Sequence, residues 1–243
     1  MEAYSAETYG EKIAAIYDEL YPSYDEMAIH RLAEMARGGR ALELGIGTGR
    51  VALPLQSMGV EVYGIDASPA MIERLKAKPG GERIPVTVGD FGSVEVEGEF
   101  SLIYIVFNTL FNLQTQEDQL HCFEIVARHL SPEGVFVVEA FVPDLLRFTG
   151  GQAVRALSVG PGVLRLDVSQ LDLARQTITA QHVHLSEKGI QIFPLRLRYI
   201  WPSEMDLMAR VAGMRLHQRW GGWEQSAFTS NCTRHISLYE LVR

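Results

Sequence analysis

Three kinds of apolar spacing follow one another along the chain, and each change of spacing marks a structural boundary. The opening stretch is helical in period. Ile13, Ile16, Tyr17 and Leu20 fall on one helix face, and Pro22 stops that helix. Ser23, with Glu26 three residues on, predicts a capping box that opens a second helix. The apolar stripe of that helix is Ile29, Leu32, Ala33 and Ala36, and Gly38-Gly39 ends it.

From residue 40 short apolar runs alternate with amphipathic stretches. Strands are predicted over 41–44, 60–65, 84–88, 100–107 and 135–141. Helices are predicted over 51–58, 70–77 and 117–130, with Ser68 and Pro69 as start signals for the second of them. The runs at 100–107 and 135–141 are almost continuously apolar, as parallel strands buried on both faces are. Strands that alternate with helices imply βαβ units around a parallel sheet.

After Pro143 the pattern changes again. The segments 162–173, 176–186 and 190–201 read as β, with no helix between them, so they are expected to pair antiparallel. A helix follows over 203–213, with Ser203 as N-cap and Asp206 at N3, and strands over 214–220 and 235–242 close the chain. The expected fold is therefore α/β, a doubly wound Rossmann-like sheet in one domain. Residues 1–39 form a helical cap, 40–150 and 202–243 form the core, and 151–201 form an inserted antiparallel β lid.

Composition narrows the function. Of 243 residues, 47% are apolar and 21% charged, which are ordinary globular values. Twenty-two Lys and Arg stand against thirty Asp and Glu, a formal charge of −8. Such a chain has no general attraction for phosphate backbones or anionic lipid, so neither nucleic acid nor membrane is expected as a partner. No apolar run approaches the roughly 18 residues of a spanning helix. The opening MEAYSAETYG lacks the basic and apolar regions of a secretory signal. Two cysteines, Cys122 and Cys232, are too few for a disulfide framework and fit a reducing cytoplasm.

The most informative segment is Glu43-Leu44-Gly45-Ile46-Gly47-Thr48-Gly49-Arg50, a glycine loop between a strand and a helix. Such a loop lets backbone N–H groups approach a ligand at a helix N-terminus. The dinucleotide pattern G-x-G-x-x-G would need glycine where Arg50 stands, and a Walker loop is absent. Asp66 ends the next strand, where a carboxylate accepts from ribose hydroxyls. Asp90 ends the one after, placed to meet an exocyclic adenine amine, with Phe91 beside it. Met71 and Phe91 are candidates to sandwich a base, although plain core packing also accounts for Met71.

These segments resemble the first three motifs of class I S-adenosylmethionine-dependent methyltransferases, and Leu130-Ser131-Pro132-Glu133-Gly134 resembles the stretch before the family's fifth strand. The likeness is strongest over residues 38–142. The run Tyr17-Asp18, Tyr21 and Tyr24-Asp25, with the antiparallel lid, resembles small-molecule members of natural-product pathways, among them sugar N-methyltransferases. Ser101 departs from the acidic residue the family often carries there. The resemblance implies S-adenosylmethionine as cofactor. Glu43, Gly45, Gly47 and Gly49 would hold its methionine part, Asp66 its ribose, and Asp90 with Phe91 its adenine, while Tyr17 and Tyr21 close over it.

The acceptor side is less defined. Residues 107–112 follow the fourth strand and are expected to line the acceptor pocket, with Phe107 at the donor and Asn108 and Tyr21 as catalytic candidates. His182 and His184 share one face of a lid strand. They read either as the wet outer face of the lid or as acceptor contacts, one of them a base for a hydroxyl acceptor. No third ligand at sensible spacing supports a metal, and Asp144 alone is a poor magnesium site. The Trp220-Gly221-Gly222-Trp223 turn reads as a glycine turn or a pocket border. The expected activity is metal-independent methyl transfer to a nitrogen or oxygen of a small molecule. The alternatives are a non-methyl reaction on the same fold, such as a cyclisation, and a non-catalytic binding module. An exposed lid edge offers a route to a homodimer.

Overall fold

The computed structural model describes residues 4–93 and 96–242. The N-terminal cap holds α1 (Thr8–Ile13), a single 3₁₀ turn (Ala14–Ile16), α2 (Tyr17–Leu20) and α3 (Glu26–Ala36). The expected helix across residues 13–20 is thus broken by the tighter turn. α3 is capped by Asp25, whose carboxylate accepts from the Met27 N–H at 2.9 Å, and not by Ser23. A carboxylate at the helix start also complements the dipole, which a serine does not.

The core alternates as expected. β1 (Arg40–Leu44), α4 (Ala52–Ser57), β2 (Glu61–Asp66), α5 (Pro69–Lys76), β3 (Val86–Val88), β4 (Phe100–Ile105), α6 (Gln116–His129) and β5 (Leu130–Phe141) follow in order. Ser68 caps α5 as predicted, accepting from the Met71 N–H at 3.3 Å. β5 starts five residues before the apolar run, because Leu130 pairs with Phe100 ahead of a bulge. The Ser131-Pro132-Glu133-Gly134 stretch therefore lies inside the strand and not in a turn.

The next four strands are β6 (Gln152–Gly160), β7 (Val163–Asp172), β8 (Thr177–Ser186) and β9 (Gly189–Arg198). They form an antiparallel sheet in that order. β6 is an addition to the expected three. As an edge strand it is mostly exposed, so its sequence carries no burial alternation to detect. α7 (Pro202–Val211), β10 (Met214–Trp220) and β11 (Arg234–Leu241) close the fold. α7 has Trp201 at its N-cap position, proline in its first turn and no side-chain cap, so Ser203 is not its N-cap. Asp206 instead accepts from Arg219 at 2.6 Å and Tyr239 at 2.9 Å.

The main sheet runs β10-β11-β5-β4-β1-β2-β3. Its five right-hand strands are parallel and β11 runs against β5. Alternate residues of β4 and β5 face opposite layers. Ile103, Ile105, Phe136 and Val138 pack with Phe123 of α6 and Met205 of α7. Leu102, Tyr104 and Val137 pack with Leu32 of α3 and Leu55 of α4. Each fully buried side chain of this size contributes about 1.5–3 kcal/mol. Ile178 and Ala180 of the second sheet belong to the first layer, with Leu195 and Leu197 packed against it. The second sheet is thus part of the core as well as a cover over it.

Candidate active site

One cavity of about 750 Å³ lies at the carboxyl ends of the parallel strands, between the main sheet, the cap and the second sheet. This is where open α/β sheets bind ligands.

At one end the glycine loop turns sharply. Gly45 and Gly47 both have φ in the left-handed region, at 76° and 54°. A Cβ on Gly45 would collide with the Thr109 methyl, while Gly47 faces open space. Asp66 accepts from the Gly47 N–H at 2.7 Å and the Ser68 N–H at 2.9 Å. Burial pushes its carboxyl pKa up despite those two bonds. Asp90 accepts from the Gly92 N–H at 2.8 Å. Gly45, Gly47, Asp66, Ser68 and Asp90 border the cavity, as do Met71 and Phe91. The cap is fastened here: Asp18 accepts from Thr48 Oγ1 at 2.6 Å and Lys78 Nζ at 2.9 Å, and Glu11 accepts from Ser68 Oγ at 2.7 Å.

Two of the predicted donor residues stand back from the cavity. The Glu43 carboxylate is buried and accepts from the Tyr104 hydroxyl at 2.9 Å. Burial raises its pKa to about 8, against the pull of Tyr104 and Arg50. Gly49 packs where a Cβ would meet Leu75. Their place is behind the loop. Arg50, the residue that breaks the dinucleotide pattern, has its guanidinium 4.2 Å from the Phe107 ring centroid and 5.0 Å from that of Tyr24. Tyr17 stacks beside it and borders the cavity, its pKa raised by burial to about 12.

The middle of the cavity is formed after β4. Phe107 and Asn108 are consecutive non-glycine residues in the left-handed region, at φ 57° and 66°. Two such residues in a row persist only where surroundings over-determine them. Here Glu139 accepts from the Phe107 N–H at 3.0 Å, and its backbone carbonyl accepts from the Asn108 N–H at 3.2 Å. Asn108 Oδ1 accepts from the Phe141 N–H at 2.7 Å. Glu139 also accepts from the Tyr24 hydroxyl, Trp223 Nε1 and Arg234. Sequence reading missed this buried carboxylate, because it sits inside an apolar strand with no motif around it. Tyr21 meets Phe107 edge-on at 5.2 Å, and its hydroxyl accepts from Arg165 at 3.2 Å.

The far end belongs to the second sheet. His182 borders the cavity, 6.5 Å from the Tyr9 ring, with Nδ1 buried and unpartnered. Burial lowers its pKa, so the imidazole is neutral near neutral pH. The wet-outer-face reading of His182 is therefore corrected. His184 shares its strand face but does not border the cavity. Asp167, Arg147, Arg155 and Tyr9 also border it and were not anticipated. The Trp220 to Trp223 turn packs into the core and not onto the cavity. Among the described residues no three His, Cys, Asp or Glu side chains gather as a metal-binding group.

Comparison with known proteins agrees with this geometry. Residues 41–134 match a methyltransferase domain model. The structure of the CcbJ methyltransferase from Streptomyces caelestis superposes with a TM-score of 0.91 at 36% identity, covering 99% of this chain and 100% of that one. The cypemycin N-terminal methyltransferase of a Streptomyces species is 27% identical over 205 residues, 84% of this chain and 83% of that protein. CalS10, an amino pentose methyltransferase from Micromonospora echinaspora solved with S-adenosylmethionine, shares the fold at a TM-score of 0.69 and 22% identity, covering 98% of this chain and 99% of that one. The chain belongs to the class I S-adenosylmethionine-dependent methyltransferases. It is an enzyme, and its cofactor is S-adenosylmethionine.

Proposed function

We propose that the enzyme methylates a small-molecule acceptor, at nitrogen in preference to oxygen and without a metal, as a cytoplasmic tailoring step of secondary metabolism. The carrying observation is the join between the two ends of the cavity. The side chains there are Tyr21, Phe107 and Asn108, and beyond them at the far end stands the neutral imidazole of His182. An amine that arrives deprotonated needs alignment and desolvation, which such a lining supplies, and no strong base. The cypemycin relative is named for an N-terminus, which in a peptide is an amine.

The residues present fit the donor. Gly47 leaves open space at its Cβ, Asp66 keeps acceptor capacity beyond its two backbone bonds, and Met71 with Phe91 offers apolar walls. In this reading Asp66 holds the ribose, Asp90 and Phe91 the adenine, and the Gly45–Gly47 turn the methionine part, with Glu43 and Gly49 shaping the loop from behind. Bound there, the donor supplies a sulfonium methyl group. Tyr17 and Tyr21 exclude water above it, and Asn108 fixes the strand end against which the acceptor rests.

The outer face of the second sheet supports a homodimer through that face, in place of the expected edge pairing. Val154, Val159, Ile190 and Ile192 are all more than half exposed on it. Light scattering on Ile192→Glu is expected to shift a dimer to monomer, and a monomeric wild type rejects this part.

Tritiated S-adenosylmethionine and a panel of amines and alcohols test the main proposal. Label is expected in amines and unaffected by EDTA. Label only in alcohols overturns the nitrogen assignment. Acceptor consumed without label favours a non-methyl reaction.

A further inference from the structure

Asp167 projects from β7 into the cavity and is only 6% exposed. Its Oδ1 is buried with no hydrogen-bond partner. Its Oδ2 stands 3.8 Å from Arg147 Nη1 and 3.7 Å from Arg155 Nη2, beyond hydrogen-bond reach. Directly across the strand pair is His182, whose Nδ1 is also buried and unpartnered. A buried carboxylate without a donor is costly, and native proteins supply one from protein, water or ligand. Two independent orphaned polar atoms on one wall of the cavity mark a place built for a polar group.

Charge decides which group. An ammonium would satisfy Asp167 but would sit beside two guanidinium groups. A carboxylate would satisfy the arginines but would sit against Asp167. Asp144 borders the same space and interacts with Arg147, so two negative and two positive side chains balance around Asp167, while Arg165, whose charge reaches His182, is turned to the Tyr21 hydroxyl and does not border the cavity. A neutral hydroxyl meets both demands, since its O–H donates to Asp167 while its oxygen accepts from an arginine. Arg147 and Arg155 approach the same carboxylate, so a pair of neighbouring hydroxyls would engage the whole group.

We propose that Asp167, flanked by Arg147 and Arg155, binds a neutral polyhydroxylated part of the acceptor and is a specificity-determining residue. This rests on the second sheet being the acceptor side of the cavity. It concerns recognition and not the methylated atom.

Three cyclohexane probes share a ring and differ in charge: myo-inositol, cyclohexylammonium and cyclohexanecarboxylate. Calorimetry or saturation-transfer NMR on protein loaded with S-adenosylhomocysteine would rank them. myo-Inositol is expected to bind best. Asp167→Asn is expected to weaken it about tenfold, as loss of a charge-assisted hydrogen bond does. Affinity for S-adenosylhomocysteine should remain within twofold, which also reports that the variant is folded. Arg147→Gln should weaken myo-inositol as well, through the other half of the same contact. Tightest binding of the ammonium or of the carboxylate overturns the proposal, as does binding of no probe or equal binding that ignores Asp167→Asn. If inositol binding depends on Asp167 but label never reaches an amine, the recognition site stands and the nitrogen assignment falls. If amines are labelled but inositol is not bound, the reverse holds.

Discussion

The two ends of the cavity are built on opposite plans. The end proposed for the donor is made of backbone and of loops at strand ends, held by local bonds such as Gly47 N–H to Asp66 and Ser68 N–H to Asp66. The far end is made of side chains standing on an antiparallel sheet, and its polar atoms are left open, as at Asp167 Oδ1 and His182 Nδ1. A site for a constant ligand is completed in advance by the protein. A site for a variable ligand keeps unpaired groups for the ligand to complete. Loop variation around a fixed donor platform is how one fold serves many acceptors.

That contrast can be broken by substitution at either end. The largest expected effect is at the donor end. Asp66→Ala removes an acceptor in a part-buried site, and affinity for S-adenosylhomocysteine should fall about ten- to hundredfold, measured by calorimetry. Unchanged affinity in a folded variant would erase the distinction between the two ends.

Next is the carboxyl behind the glycine loop. Glu43 is raised to about 8 in the fold against an unfolded value near 4.3. A raised pKa means that the folded state keeps the proton, so this contribution is full below pH ~4.3 and is lost as pH rises towards 8. His235 is lowered to about 4 by burial and acts in the opposite direction, but only below about pH 6.5. Between pH ~6.5 and 8, unfolding free energy of the ligand-free protein should therefore fall by up to about 2 kcal/mol. Glu43→Gln should flatten that slope in denaturant titrations, and an equally steep slope would remove Glu43 as its cause.

At the middle of the cavity, Asn108 carries a left-handed conformation and a hydrogen bond to Phe141 N–H. Asn108→Ala loses both, whereas Asn108→Gly keeps the conformation. The alanine variant should be less stable than the glycine variant by about 1 kcal/mol. Equal stabilities would show that the backbone there is not strained.

The smallest effect belongs to the far end. If the acceptor is an amine, His182→Ala should reduce kcat less than tenfold, well short of the ~10²–10⁴-fold of a lost general base. A loss in that larger range would make His182 the base and the acceptor a hydroxyl.

The division between the ends also separates what could be read from the chain and what could not. That Gly45, Gly47, Asp66, Asp90 and Phe91 gather at one end of the cavity was legible because each ends or follows a parallel strand, where a few residues of local sequence set the geometry. Glu139 was not, because its four side-chain and backbone donors come from residues 24, 107, 223 and 234. Tyr9 and Arg147 likewise reach the cavity only through tertiary packing.

β7 shows the limit most clearly. Its sequence alternates Val163, Arg165, Asp167 and Ser169 with Leu164, Leu166 and Val168, so two faces were plain. The usual expectation turns the apolar face inward. The structure does the reverse: Asp167 and Ser169 are buried, Asp167 on the cavity, while Val168 is exposed. By itself the sequence determined the alternation of strands and helices in the main sheet, the two-faced strands and the glycine turn, because these depend on spacing and on neighbours a few residues apart. Which face of the second sheet turns inward was decided only by the tertiary structure. Period-two alternation defines two faces without a sign, and for β7 the sign comes from distant groups that place Asp167 on the cavity and leave Val168 exposed.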